Sequence, residues 1–272
     1  MAKYRAPKTI REKTAKKEFQ KNLLKFFLLR GGIFLFAGLI ATYSAFKLNK
    51  SFEILPKSLP QDILIFILFS AAMSLFFWID KNKKLSKLKD KIYKGIFSAL
   101  VFCGGVIFLN LFLPIFGAVI IVGVLIIIWF RIKIIWLRNL LLILGIGGMA
   151  GFFGLNFGPS VILALLLLFS VFDFIAIYKD RRFALSERES GLYFYFADLG
   201  AGAVFLPNAL AAAAVSASLV GAIVVILFSL AGLFFGCWIF LNQKLYKEKD
   251  PAPALPPIAL FSIIGYLVAL FI

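Results

Sequence analysis

Apolar runs long enough to cross a bilayer recur from the first third of this chain to its last residue, and that repetition restricts the fold more than any single motif does. Taken as helices, they are nine: Phe26 to Phe46, Ile63 to Ile79, Ile96 to Leu113, Ile115 to Phe130, Leu140 to Phe157, Val161 to Tyr178, Leu199 to Ala217, Leu219 to Leu241 and Leu255 to Ile272. About 20 apolar residues carry a helix across hydrocarbon. With 62% of the 272 residues hydrophobic, no stretch is left for a separate soluble domain of useful size. The expected fold class is all-α: a polytopic membrane protein of nine transmembrane helices.

Charge orients the spans. The net charge is +17, yet the basic residues cluster at the ends of the apolar runs, a distribution that reports membrane topology and argues against a nucleic-acid partner. With the N-terminus inside, 27 of the 30 Lys and Arg fall in cytosolic segments, and only Lys47, Lys50 and Lys57 lie outside. This asymmetry predicts a cytosolic N-terminus and an exoplasmic C-terminus. Residues 1–25, MAKYRAPKTIREKTAKKEFQKNLLK, are too long and too basic for a signal-peptide n-region, and no small-residue cleavage site follows. They are expected to form a retained basic arm on anionic membrane lipid, and residues 26–272 the helical domain.

The sequence contains no histidine, which removes imidazole triads and imidazole metal sites. Cys103 and Cys237 sit within apolar runs as small hydrophobes rather than as metal ligands. No metal or cofactor is expected, and proton chemistry falls to carboxylates, tyrosines and lysines.

Of the 13 acidic residues, only Asp173 lies clearly inside a span, where burying an acid costs about 2.5 to 3.5 kcal/mol. It stands about 7 to 8 Å from the cytosolic end of the sixth span. The bland alternative is an acid paired with a lysine from a neighbouring helix. Asp198 reads as an ordinary N-cap of the seventh span. Position 203, about 6 Å into that antiparallel span, is nearly level with Asp173. Gly200 and Gly202 precede it and would let a neighbouring backbone come close. A second carboxylate there would share a proton with Asp173, so that one could activate water while the other protonates a leaving group. The residue present is Ala203. In DPAPALPPIAL, Pro256 and Pro257 lack N–H donors and disfavour helix before them, so Pro253 to Leu255 are expected to be irregular at the mouth of the last span.

The three elements together resemble the presenilin and signal peptide peptidase family of intramembrane aspartyl proteases. That family is marked by Tyr-Asp in helix six, Gly-x-Gly-Asp in helix seven and Pro-Ala-Leu before helix nine. Here these read Phe172-Asp173, Gly200-Ala201-Gly202-Ala203 and Pro253-Ala254-Leu255, in the same order along nine spans. The compact loops are similar to those of the microbial single-chain members.

The resemblance implies catalytic helices at about 161–178 and 199–217, with a Pro-Ala-Leu motif at 253–255 that helps bind an extended substrate. It implies single-span substrates, type II or signal-peptide-like, entering laterally, with strand addition near Pro253 to Leu255 or along Ser190 to Phe196. It implies Asp173 as one catalytic acid, Phe172, Gly200 and Gly202 as its support, and no cofactor. Phe172 in place of tyrosine removes only a hydroxyl. Ala203 in place of aspartate removes an acid, and alanine can neither hold a proton nor polarise water, so the chain as written is expected to lack peptidase activity. A rival reading is a proton- or cation-coupled transporter with Asp173 as its ion site and the proline-broken last helix as the discontinuous element; another is a scaffold that binds transmembrane segments.

Overall fold

The computed structural model describes residues 8–51, 67, 86–132, 134–179, 193–194, 199–245 and 254–272. Among these, the predicted runs form eight helices. They are α1 (Lys8–Ser51), α2 (Ser86–Leu109), α3 (Ile115–Ile132), α4 (Ile135–Asn156), α5 (Pro159–Lys179), α6 (Ala201–Ala214), α7 (Leu219–Leu245) and α8 (Leu255–Ala269). A two-residue antiparallel ladder precedes α6: β1 (Tyr193–Phe194) pairs with β2 (Leu199–Gly200), with Tyr193 opposite Gly200 and Phe194 opposite Leu199. The second predicted span, Ile63 to Ile79, lies outside the described residues apart from Ile67, which is helical.

Among the described residues, four helical stretches are long and apolar enough to cross a membrane: Leu23–Asn49, Ile115–Ile132, Ile135–Asn156 and Leu219–Ile239. The outer surface agrees with their composition. On α3 the buried residues form the single stripe Ala118, Val122 and Ile126, while Phe116, Ile120 and Ile127 point outward, exposed. A helix in water would set charge on that outer face.

Helix α1 runs unbroken through the boundary between arm and first span. At 1.5 Å per residue its 44 residues extend about 66 Å, well beyond a hydrocarbon core of about 30 Å. The turns fall where prolines predict them. Pro114 accepts the Ala118 N–H at the start of α3, and Pro159 is the first residue of α5, where a missing N–H loses no helical bond.

Glycine brings α4 into the middle of the bundle. It packs against α1, α2 and α6. At Gly148 a methyl group would run into the carbonyl of Gly104 on α2, and at Gly154 it would meet the Ala209 carbonyl on α6 at 2.6 Å. Such backbone contact replaces the hydrophobic drive that helices lack in lipid. The apolar centre includes Phe34, Phe97, Leu142, Ile146 and Leu166, all fully buried. Of the two cysteines, Cys237 is buried beside Arg30, whose Nη1 lies 3.6 Å from its sulfur, and Cys103 is exposed on α2.

Candidate active site

Helix α5 is an aliphatic run, PSVILALLLLFSVFDFIAIYK, broken by one acid. Asp173 is half-buried on it, next to half-buried Phe172. Its Oδ2 accepts the backbone N–H of Leu255 at 2.9 Å, and the Ala254 amide is a second backbone donor to the same carboxyl. These donors come from the start of α8, where Ala254 is the N-cap and Leu255 the first helical residue. Pro256 and Pro257 follow and have no N–H. The first turn of α8 therefore presents Leu255 as its one free donor before Ile258, and that donor is aimed at Asp173. A carboxylate at a helix N-terminus also meets the positive end of the helix dipole. Among the described residues the acid is thus held by backbone donors.

Ala254 and Leu255 depart from the expected irregular backbone. Ala254 lies in the right-handed helical region at φ −86° and ψ −35°, and Leu255 is already helical. The physical reason is position: prolines directly after N1 remove only donors that a helix leaves unpaired there. Pro253 lies outside the described residues.

The other acid position is on α6. Ala203 is buried, 6% exposed, in the first turn of that helix. Every residue of α6 except Gly202 and Phe205 is buried, so this 14-residue helix is an enclosed core element. Helices α5, α6 and α8, which carry Asp173, Ala203 and Leu255, pack against one another pairwise.

Three details of the seventh span need correction. The helix begins at Ala201, because Leu199 and Gly200 are extended and engaged with Tyr193 and Phe194. Its N-cap is Gly200, at φ −71° and ψ 148°, with no side-chain cap; Asp198, expected to cap it, lies outside the described residues. Gly202 does not admit a neighbouring backbone, since a methyl group added there would meet nothing within 4 Å. Among the described residues Gly202 thus borders open space beside Ala203.

Sequence reasoning missed the residues that seat α8. A methyl at Gly232 on α7 would come within 2.6 Å of the Pro257 carbonyl, and one at Gly236 within 3.1 Å of the Pro257 ring. Further along the same seam, Ser229 and Ser262 lie Oγ to Oγ at 2.6 Å. The signal was present as Gly232-Leu-Phe-Phe-Gly236, a small-xxx-small pattern that packs membrane helices closely.

No family model matches this chain, and no curated protein matches it in sequence. Solved structures do. A presenilin-family intramembrane aspartate protease in a C222 crystal form superposes with a TM-score of 0.62 at 22% identity, covering 90% of this chain and 98% of the other. The P2 form of a presenilin-family intramembrane aspartate protease gives a TM-score of 0.58 at 20% identity, covering 90% and 97%. An enclosed short helix flanked by an acid-bearing helix and a proline-started one is thus set within a known architecture: this chain has the fold of presenilin-family intramembrane aspartate proteases.

Proposed function

We propose that this chain belongs to the intramembrane aspartyl proteases by descent and binds single-span transmembrane segments without hydrolysing them, because Ala203 stands where the second acid is required. The observation that carries this reading is the hydrogen bond from Leu255 N–H to Asp173, which joins the Pro-Ala-Leu element to the buried acid. The pairwise packing of α5, α6 and α8 supports it.

In this reading the catalytic centre comprises Asp173 and residue 203, with Phe172, Gly200 and Gly202 as its support and Pro253, Ala254 and Leu255 as the substrate-binding motif. With aspartate at 203, two nearby carboxylates would repel and share one proton. The ionised acid would take a proton from water as it attacks the peptide carbonyl, and the other would protonate the departing amine. Neither metal nor covalent intermediate is needed. The substrate helix unwinds near the cytosolic side, and its extended backbone adds to the ladder of Tyr193–Phe194 and Leu199–Gly200, which supplies the hydrogen bonds that lipid cannot. The chain crosses the membrane nine times, N-terminus cytosolic and C-terminus exoplasmic, with residues 1–25 as a basic arm on anionic lipid and 26–272 as the helical domain. It resides in the plasma membrane of a prokaryote or an internal membrane of a eukaryote.

Reconstitution of the Ala203→Asp chain in liposomes with a single-span model substrate tests the reading. The expected result is cleavage that disappears when Asp173→Asn is added, and none by the chain as written. Proton or cation flux through the unaltered chain, dependent on Asp173 and without cleavage by the restored one, would replace this reading with a transporter.

A further inference from the structure

Helix α6, AGAVFLPNALAAAA, contains a single side chain with a hydrogen-bonding group, Asn208, and it is completely buried. Its Nδ2 donates to the Val204 carbonyl one turn back at 2.9 Å and reaches the Phe34 carbonyl on α1 at 3.5 Å. Its Oδ1 finds no donor among the described residues and lies against Gly38 on α1, where a methyl group would come within 2.7 Å of it. A buried amide with one unsatisfied atom is a costly choice for a core position that leucine could fill.

Two features of α6 give that choice a purpose. Pro207 has no N–H, so the Ala203 carbonyl lacks its usual donor four residues on, and the first turn is held by one bond fewer. Beyond Asn208 the helix wall is mostly alanine methyls, which pack closely but offer no polar group to hold a register with a neighbouring helix. Residues 203 and 208 lie about 140° apart around the helix, so a grip on α1 at 208 turns position 203 away from α1.

We propose that Asn208, seated against Gly38, is a positioning residue that fixes the rotation of α6 and thereby the direction residue 203 faces. The proposal rests on the reading of Asp173 and residue 203 as a facing pair, and it is tested both with and without catalysis.

In a chain with Cys103 and Cys237 replaced by alanine, cysteines are placed at 173 and 203 and bridged with a short bifunctional thiol reagent; a cysteine pair at 229 and 262 serves as control. Asn208→Leu is expected to slow bridging of 173 to 203 about tenfold and leave the control unchanged, since small misplacements of reacting groups carry large rate costs. Asn208→Thr, which can bond Val204 but not span to Phe34, is expected to behave like leucine. Gly38→Ala is expected to act in the same direction, and the double change with Asn208→Leu to be non-additive. Equal slowing of both pairs would mark Asn208 as a general packing residue and overturn the proposal, as would unchanged bridging or a parent pair that never bridges.

In the Ala203→Asp background, Asn208→Leu is expected to lower kcat about 100-fold with KM little changed. A loss confined to KM would overturn the proposal. If Ala203→Asp cleaves nothing, the protease reading falls, and the bridging rates still decide the role of Asn208.

Discussion

The backbone N–H of Leu255 donates to Oδ2 of Asp173 across 82 residues of sequence, tying the first turn of α8 to the one acid of α5. The two prolines after Leu255 have no backbone donors, so the amides that the start of α8 turns on this carboxyl are those of Leu255 and Ala254.

Leu255→Pro removes the Leu255 donor at the first helical position, whereas Leu255→Ala keeps it. Thermal unfolding in detergent should show the proline variant destabilised by about 1 to 3 kcal/mol relative to the alanine variant, the range for a partly buried hydrogen bond to an acid. Equal melting of the two variants would mean the bond contributes nothing.

Asp173→Asn retains an acceptor for the Leu255 N–H but cannot take up a proton. Its melting temperature should match the parent's, whereas Asp173→Leu should melt lower. In the Ala203→Asp background the asparagine variant should lose about 10² to 10⁴-fold in cleavage rate. Retained cleavage would remove Asp173 from the chemistry.

At Gly148 any side chain collides with the Gly104 backbone, while Gly123 on α3 has open space around it. Gly148→Val should cost at least about 1 to 3 kcal/mol, as overpacked cores do. Gly123→Ala should be neutral or slightly stabilising, since alanine is the better helix former. Chemical denaturation in mixed micelles compares the two.

Ser229 and Ser262 each lie within reach of a carbonyl one turn back, at 2.7 and 2.6 Å, as well as of each other. A double-alanine cycle should give a coupling of about 0.6 kcal/mol and no more than about 1.7, the range for hydrogen bonds between membrane helices. Additive single changes would mean the contact is incidental.

The sequence made the helices legible because a bilayer imposes length, and the runs ending in Leu109 to Pro114 and in Phe157 to Pro159 found their turns within a few residues of the expected places. Asp173 was legible too, since an acid among leucines has no inexpensive explanation. What the sequence concealed was direction. Gly202 and Gly148 look alike as letters, yet one borders open space and the other touches backbone, and only the placement of neighbouring helices separates them. The start of α6 lies two residues beyond the start of the apolar run because Leu199 and Gly200 take their extended form from pairing with Tyr193 and Phe194, a partner the apolar pattern does not reveal. Leu255 is helical despite the proline after it because its place at a helix start exempts it from the extended preference that proline imposes on the residue before it.

Helix α6 is walled in along nearly its whole length and meets α4 backbone to backbone at Gly154 and Ala209, so in the proposed reading a guest arriving through lipid could not reach residue 203 broadside without prising these neighbours apart. Among the described residues that reading would leave an end-on approach, past Gly202 and the short ladder at its threshold. A segment would then have to surrender its own helical turns before it arrived, and the ease of unwinding a guest, more than its side chains, would be the first filter on what is admitted.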